Sequence, residues 1–214
     1  MLQLDLHVHT IHSRDGLCTV ARAVEAARAK GLSGIAITDH DSISGHLEAK
    51  NFSNNKFLVI PGVEVSSSDG HIIGLGIGEL VPKRLSAEET VKMIVEQGGV
   101  AVAAHPFALG RKPGFVYKAK FDAIEGLNSR ALFLSNPLAQ RFAKKHKIPM
   151  VAGSDAHRCD EIGLAYTLID SEPKIDSILE QIRRGGTSIS GGTLPTSKFL
   201  WRALQKTLRR GYER

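Results

Sequence analysis

Short apolar runs alternate with longer amphipathic stretches along the whole of this 214-residue chain. Gln3–His7 has strand character. Gly34-Ile35-Ala36-Ile37-Thr38 is a continuous apolar run of strand length, the pattern of a strand buried on both faces. Further strands are expected at Phe57–Val65 (interrupted by Pro61-Gly62), His71–Gly76, Val100–Ala104, Ala123–Leu127, Met150–Ala152 and Leu164–Ile169. Between these runs the apolar spacing lengthens to the helical period. Thr19 caps a predicted helix that runs to Lys30, with Val20, Ala23, Val24 and Ala27 on one face and Gly31 after it. Ser86-Ala87-Glu88-Glu89 is a capping box that opens a helix to Gln97. Helices are also expected over Ser42–Ser53, Pro137–His146 and Ile175–Arg184, with a loop or short helix over Ala108–Phe121. Gly191-Gly192 and Pro195 mark a linker before a last helix, Lys198–Arg209.

Strand and helix alternating from end to end imply a parallel sheet covered by helices. Such α/β folds place their sites where strands end. Polar motifs stand at those places here: His7-Val8-His9, Asp15, Thr38-Asp39-His40-Asp41, Glu64, His71, His105-Pro106 and Asp155-Ala156-His157. Residues from the first strand must meet residues from the last, so a closed or nearly closed barrel is expected, smaller and less regular than an eight-fold one. The expected organisation is one barrel domain, residues 1–190, followed by a linker and helix, residues 191–214.

Each motif alone has a plain alternative. Asp41 or Ser42 can cap a helix, Glu64 between Val63 and Val65 can sit on a half-exposed strand, and His71 can be a strand-end histidine on the surface. Together they are nine candidate metal ligands: His7, His9, Asp15, His40, Glu64, His71, His105, Asp155 and His157. Residues two apart on an extended segment face one side, so His7 with His9 and Asp155 with His157 can each share an ion. Mixed imidazole and carboxylate donors suit zinc, manganese or iron better than magnesium or calcium. His12, His46 and His146 are left to the surface or to supporting roles, and Cys159 stands close to His157.

Composition changes this picture little: 42% hydrophobic and 23% charged residues describe an ordinary folded domain. The net charge of +6 is concentrated in the last eighteen residues, where Lys198, Arg202, Lys206, Arg209, Arg210 and Arg214 face one acid, Glu213. The body is therefore nearly neutral, which argues against a nucleic-acid surface over the whole protein. The basic helix itself is expected to be amphipathic, through Leu200, Leu204 and Leu208, and either to cover the barrel with its leucines and solvate its cations or to offer weak nucleic-acid contact. Two cysteines, Cys18 and Cys159, make no disulfide framework, so a reducing, cytoplasmic location is expected. The start has no signal-peptide pattern, and no apolar run is long enough for a membrane span.

The chain resembles the PHP (polymerase and histidinol phosphatase) family. The stretches that carry the likeness are Leu4-Asp5-Leu6-His7-Val8-His9-Thr10, Ser13-Arg14-Asp15-Gly16, Ile37-Thr38-Asp39-His40-Asp41, Pro61-Gly62-Val63-Glu64, Ala104-His105-Pro106 and Gly153-Ser154-Asp155-Ala156-His157, spanning roughly Leu2–Gly186. The resemblance implies a distorted seven-stranded β/α (TIM-like) barrel with two or three divalent transition-metal ions at its mouth. It implies that His7, His9, Glu64 and Asp155 ligate one ion, and that Glu64 bridges to a second held by His71 and His105. Asp15, His40 and His157 would hold a third. The implied activity is hydrolysis of a phosphate ester of a small metabolite, nucleotide or short oligonucleotide end by metal-activated water. Arg14, Arg111, Lys112, Arg130 and Arg158 are candidate phosphate clamps, with Arg111 and Arg130 first. Two other readings compete: an amidohydrolase-type metal hydrolase, and a non-catalytic barrel serving as a scaffold in a nucleic-acid complex.

Overall fold

A computed structural model describes residues 1–54, 56–109, 113–132 and 134–195. Arg111, Lys112 and the expected helix Lys198–Arg209 lie outside the described residues. The strands are β1 (Leu2–Val8), β2 (Gly34–Ile37), β3 (Leu58–Ser66), β4 (His71–Leu75), β5 (Val100–Ala103), β6 (Ala123–Asn128), β7 (Met150–Gly153), β8 (Ala165–Ile169) and β9 (Thr187–Gly191). The helices are α1 (Val20–Ala29), α2 (Ser44–Ala49), α3 (Ala87–Glu96), α4 (Ser135–His146) and α5 (Ile175–Arg184). Thr19 Oγ1 caps α1 and the Ser86–Glu89 capping box opens α3, as their sequences predict.

All nine strands among the described residues belong to one sheet, in the order β7-β6-β5-β4-β3-β2-β1-β8-β9. This corrects the expected seven-stranded barrel. The unforeseen strand is β9, whose Thr-Ser-Ile-Ser-Gly sequence has a single large apolar residue and forms no run. Its order comes from antiparallel pairing along the whole of β8. Gly191, read as the start of a linker, ends this strand. The sheet is also mixed rather than parallel throughout. β1–β2–β3 and β5–β6–β7 pair in parallel, but β4 runs antiparallel to both its neighbours and β8 antiparallel to β1. Pro61-Gly62 does not interrupt β3, because Pro61 O accepts from Gly76 N at 2.7 Å and Gly62 pairs with Leu75 of β4.

The ends of the sheet approach without completing a ladder, giving a nearly closed barrel. Thr167 Oγ1 of β8 accepts from Ala152 N of β7 at 2.8 Å and lies 2.9 Å from Ala152 O, to which it donates. Asp5 of β1 accepts from Ser154 N at 2.9 Å. Gly153 makes this approach sterically possible, since a Cβ there would lie 2.3 Å from His7 Cβ. Inside the barrel Leu4, Leu6, Leu58, Ile60, Ile73, Val100, Val102 and Val151 pack together, and α5 adds Ile178, Leu179 and Ile182. Outside, α1 covers Val8, Ile35, Ile37 and Val59, while α3 and α4 cover Val63, Val65, Ile72 and Ile124. Among the described residues no helix is long and apolar enough to cross a membrane.

Cys18 and Cys159 are joined by a disulfide across 141 positions of sequence. This corrects the expectation of two unpaired thiols and removes its support for a reducing compartment. A cysteine count cannot show which residues the fold brings within bonding distance.

Candidate metal centre

One end of the barrel gathers all nine candidate ligands. His7 and His9 leave the end of β1, His40 follows β2, His105 follows β5, and Asp155 and His157 follow β7. Glu64 shares the inward parity of Leu58 and Ile60 on β3, while Val63 and Val65 face outward under the helices. His71 stands at the start of its strand rather than the end. Because β4 is antiparallel to β3, with Ser66 paired to His71, its start lies at the same mouth. The register of β1 on β2 shifts between Asp5 and Val8, which breaks strict alternation where the histidines begin.

Glu64 is the hub. Its Oε1 accepts from His71 Nδ1 at 2.7 Å and from His105 Nε2 at 2.9 Å. Its Oε2 lies 3.3 Å from His7 Nε2, 3.2 Å from His9 Nε2 and 3.1 Å from His40 Nδ1. Asp155 Oδ1 is 3.4 Å from His9 Nε2 and 3.8 Å from His7 Nε2. Asp15 completes the rim, 3.3 Å from His157 Nε2 and 4.0 Å from His40 Nε2. The cluster is deep at Glu64, whose side chain is 1% exposed, and open at Asp15, which is 40% exposed.

These groups fit divalent ions better than they fit one another. Glu64 Oε2, His40 Nδ1 and His105 Nδ1 are buried with no hydrogen-bond partner among the described residues. The Nε2 atoms of His7 and His9 face each other at 3.0 Å. Donors about 2.1 Å from a shared ion in tetrahedral array stand about 3.4 Å apart, close to the separations around Glu64 Oε2. Among the described residues, four groupings of imidazole and carboxylate atoms are close enough to hold an ion: His7, His9 and Glu64; His7, His105 and Asp155; His40, Glu64 and His71; and His9, His40 and His157.

The electrostatics agree. Burial opposes charge on His7, but Glu125, Asp155 and Glu64 outweigh it and hold the ring well above the usual histidine range. His9, also opposed by burial, is pushed up to about 9 by Asp155 and Glu64. Burial would raise Glu64 and Asp155, yet His7 and the neighbouring rings hold both well below the usual carboxylate range. A hydrogen bond from His157 lowers Asp15. His40 goes the other way, pulled down to about 4 chiefly by burial. The acids thus demand positive charge at this spot, and ion binding there would be coupled to proton release.

Several contributing residues have no metal-ligand signature. Ser13 Oγ sits 3.0 Å from His9 Nδ1, accepts from His40 N at 2.8 Å and donates to Asp39 Oδ1 at 3.0 Å. Glu125 lies 2.9 Å from His7 Nδ1, and Asn128 Nδ2 lies 3.2 Å from Asp155 Oδ2. The one available signal for Glu125 was a carboxylate in an otherwise apolar strand. Of the phosphate candidates, Arg130 is part-buried and lies 3.5 Å from Glu161 Oε2, which also accepts from His157 N at 2.7 Å. The remaining histidines stand apart. His12 meets Glu48 at 2.7 Å, His46 is buried beneath Gly62 O, and His146 packs against Phe142 with the rings tilted by 32°. Cys159, near His157 in sequence, is committed to Cys18.

A nearly closed α/β barrel with imidazoles and carboxylates gathered at its mouth is an architecture suited to a metal-dependent hydrolase. Residues 5–96 match the PHP domain and residues 133–187 the PHP-associated region. The chain is 35% identical over 144 residues to an uncharacterized protein of Methanocaldococcus jannaschii, covering 60% of this chain and 82% of that one. It therefore belongs to the PHP family. It is also similar to two named enzymes, of which it spans about a third. One is the 5'-3' exoribonuclease of Haemophilus influenzae, 33% identical over 46% of this chain and 37% of that protein. The other is the 3',5'-nucleoside bisphosphate phosphatase of Chromobacterium violaceum, 33% identical over 43% of this chain and 34% of that one. In fold it resembles a two-domain Bacteroides vulgatus protein containing a predicted PHP-like metal-dependent phosphoesterase. The TM-score is 0.74 at 18% identity, over 89% of this chain and 65% of that one.

Proposed function

We propose that this protein hydrolyses a phosphate ester of a nucleotide, a small phosphorylated metabolite or a short oligonucleotide end. The nine clustered side chains would hold two or three divalent ions of zinc, manganese or iron. The observation that carries the reading is Glu64, buried, with one oxygen beside ring nitrogens of His7, His9 and His40 and the other beside those of His71 and His105. Such a carboxylate would contribute an oxygen to each of two ions. His7, His9 and Asp155 would complete one site, His71 and His105 a second, and Asp15, His40 and His157 a third. Ions held there would supply hydroxide near neutral pH and neutralise phosphate charge.

The chain's own contribution is orientation and access. The partly exposed Asp15 and His40 mark the side from which substrate arrives. Arg130, 3.5 Å from the Glu161 carboxylate that also accepts from His157 N, would pair with a phosphate oxygen. Relatives named for a 5'-3' exoribonuclease and a nucleoside bisphosphate phosphatase favour nucleotide-like substrates. The test is a hydrolysis screen against nucleoside monophosphates, 3',5'-bisphosphates, short 5'-phosphorylated oligonucleotides and histidinol phosphate, with metal content measured on the same sample. Phosphate release that tracks bound metal supports the proposal. A metal-loaded protein that cleaves only amides or lactones, or nothing at all, refutes it.

A further inference from the structure

Glu125 is 1% exposed, and nothing in the proposed chemistry uses it. Its Oε1 accepts from His7 Nδ1 at 2.9 Å, and its Oε2 accepts from His105 N at 2.7 Å and from Asn128 Nδ2 at 3.0 Å. The same Asn128 Nδ2 reaches Asp155 Oδ2 at 3.2 Å. Asn128 is itself fixed, since its Oδ1 accepts from Arg130 N at 2.8 Å and Ala131 N at 3.0 Å. One carboxylate–amide pair on β6 therefore touches candidate ligands supplied by β1, β5 and β7. Two of these, His105 with φ 30° and Asp155 with φ 53°, have left-handed backbone, which residues carrying a Cβ rarely adopt without external support.

We infer, on the metal reading above, that Glu125 with Asn128 is the positioning pair for the deep part of the centre. Glu125 keeps a proton on His7 Nδ1, so that Nε2, once its own proton is released, would offer its lone pair to an ion shared with Glu64 and His9. It holds the turn at His105 by that residue's amide, and through Asn128 it orients the Asp155 carboxylate. Ligands whose orientation is fixed by outer hydrogen bonds bind metal more tightly. The rim is held by different residues: Ser13 receives His40 N, and Glu161 receives His157 N. Losing Glu125 should accordingly weaken ions held by His7, His105 and Asp155 and spare an ion held by Asp15, His40 and His157.

Glu125→Gln nearly preserves shape but leaves one oxygen. It can serve the His7 proton or the His105 and Asn128 donors, not both, and its NH₂ then faces a donor. The experiment compares the wild-type full chain with E125Q, each loaded with Co²⁺ or Zn²⁺ and titrated with a competing chelator. Co²⁺ absorption bands serve to separate the classes of site. A shift of about 10- to 100-fold in the affinity of the deep ions, with the rim ion unchanged, is expected. His40→Ala should give the converse pattern. Equal affinities in E125Q, or uniform weakening of every ion, overturn the inference. Should E125Q fail to fold, nitrogen-detected NMR of the Zn²⁺-loaded wild type decides. A slowly exchanging proton on His7 Nδ1 with Nε2 metallated is expected, and metal on Nδ1 refutes the positioning role. A wild type that holds no ions overturns the metal reading and this inference together. A wild type that holds ions beside an unaltered E125Q overturns this inference alone.

Discussion

The Cys18–Cys159 bond closes a loop of 141 positions, joining the segment after Asp15 to the one after His157. In the chain-entropy account, a loop of that length removes about 17 cal/mol/K from the denatured ensemble, or about 5 kcal/mol at 25 °C. Unfolding entropy of about 2.1 cal/mol/K per residue gives a chain of this size about 0.45 kcal/mol/K. The bond should therefore raise Tm by about 11 °C. Cys18 is 1% exposed and packs with Val20, Ala23 and Val24, so alanine is the replacement that adds no buried hydroxyl. The assay is urea unfolding of the wild type with and without a dithiol reductant, beside the Cys18→Ala/Cys159→Ala variant, in one buffer with the same metal. Reduced wild type and variant should nearly coincide, both well below the oxidised protein. Their m-values should also rise as the denatured chain expands. Two titratable thiols in unreduced, denatured protein would refute the bond. Identical midpoints for oxidised and reduced wild type would show that the closed loop contributes no stability.

Other outcomes follow from the same geometry. EDTA should abolish phosphate release, with Mn²⁺, Zn²⁺ or Fe²⁺ restoring it. Elemental analysis should find two to three ions per chain, and fewer than one after reloading would dismiss the cluster. Glu64→Gln removes an anionic oxygen shared by the proposed sites and should cut kcat/KM by more than about 100-fold, roughly 2.7 kcal/mol, with the circular dichroism spectrum unchanged. Wild-type turnover in that variant would place the chemistry elsewhere. Phe115, 1% exposed and packed edge-on against Phe121, should cost about 3–5 kcal/mol as alanine, read by denaturant unfolding. Removal of residues 196–214 should leave turnover of a small phosphate ester intact while lowering affinity for an oligonucleotide. In the full chain that affinity should fall steeply with salt, and salt-independent binding unchanged by truncation would exclude recruitment by the basic tail.

The amino-acid sequence alone determined the alternation of strands and helices, the capped starts of α1 and α3, and which nine side chains belong to one mouth. Those properties are local: apolar period, cap chemistry, and polar residues at the margins of buried runs. Tertiary structure decided what no local period carries. β9 has almost no apolar run and exists because β8 offers it an antiparallel edge. His71 begins a strand instead of ending one, and only the reversed direction of β4 brings it to Glu64. Cys18 and Cys159, counted as two separate thiols, meet because the barrel brings the first and late loops together. Glu125 read as one acid in an apolar strand. Its position between His7, His105 and Asn128 depends on three other segments, and contacts between segments distant in sequence leave no periodic trace in any one of them.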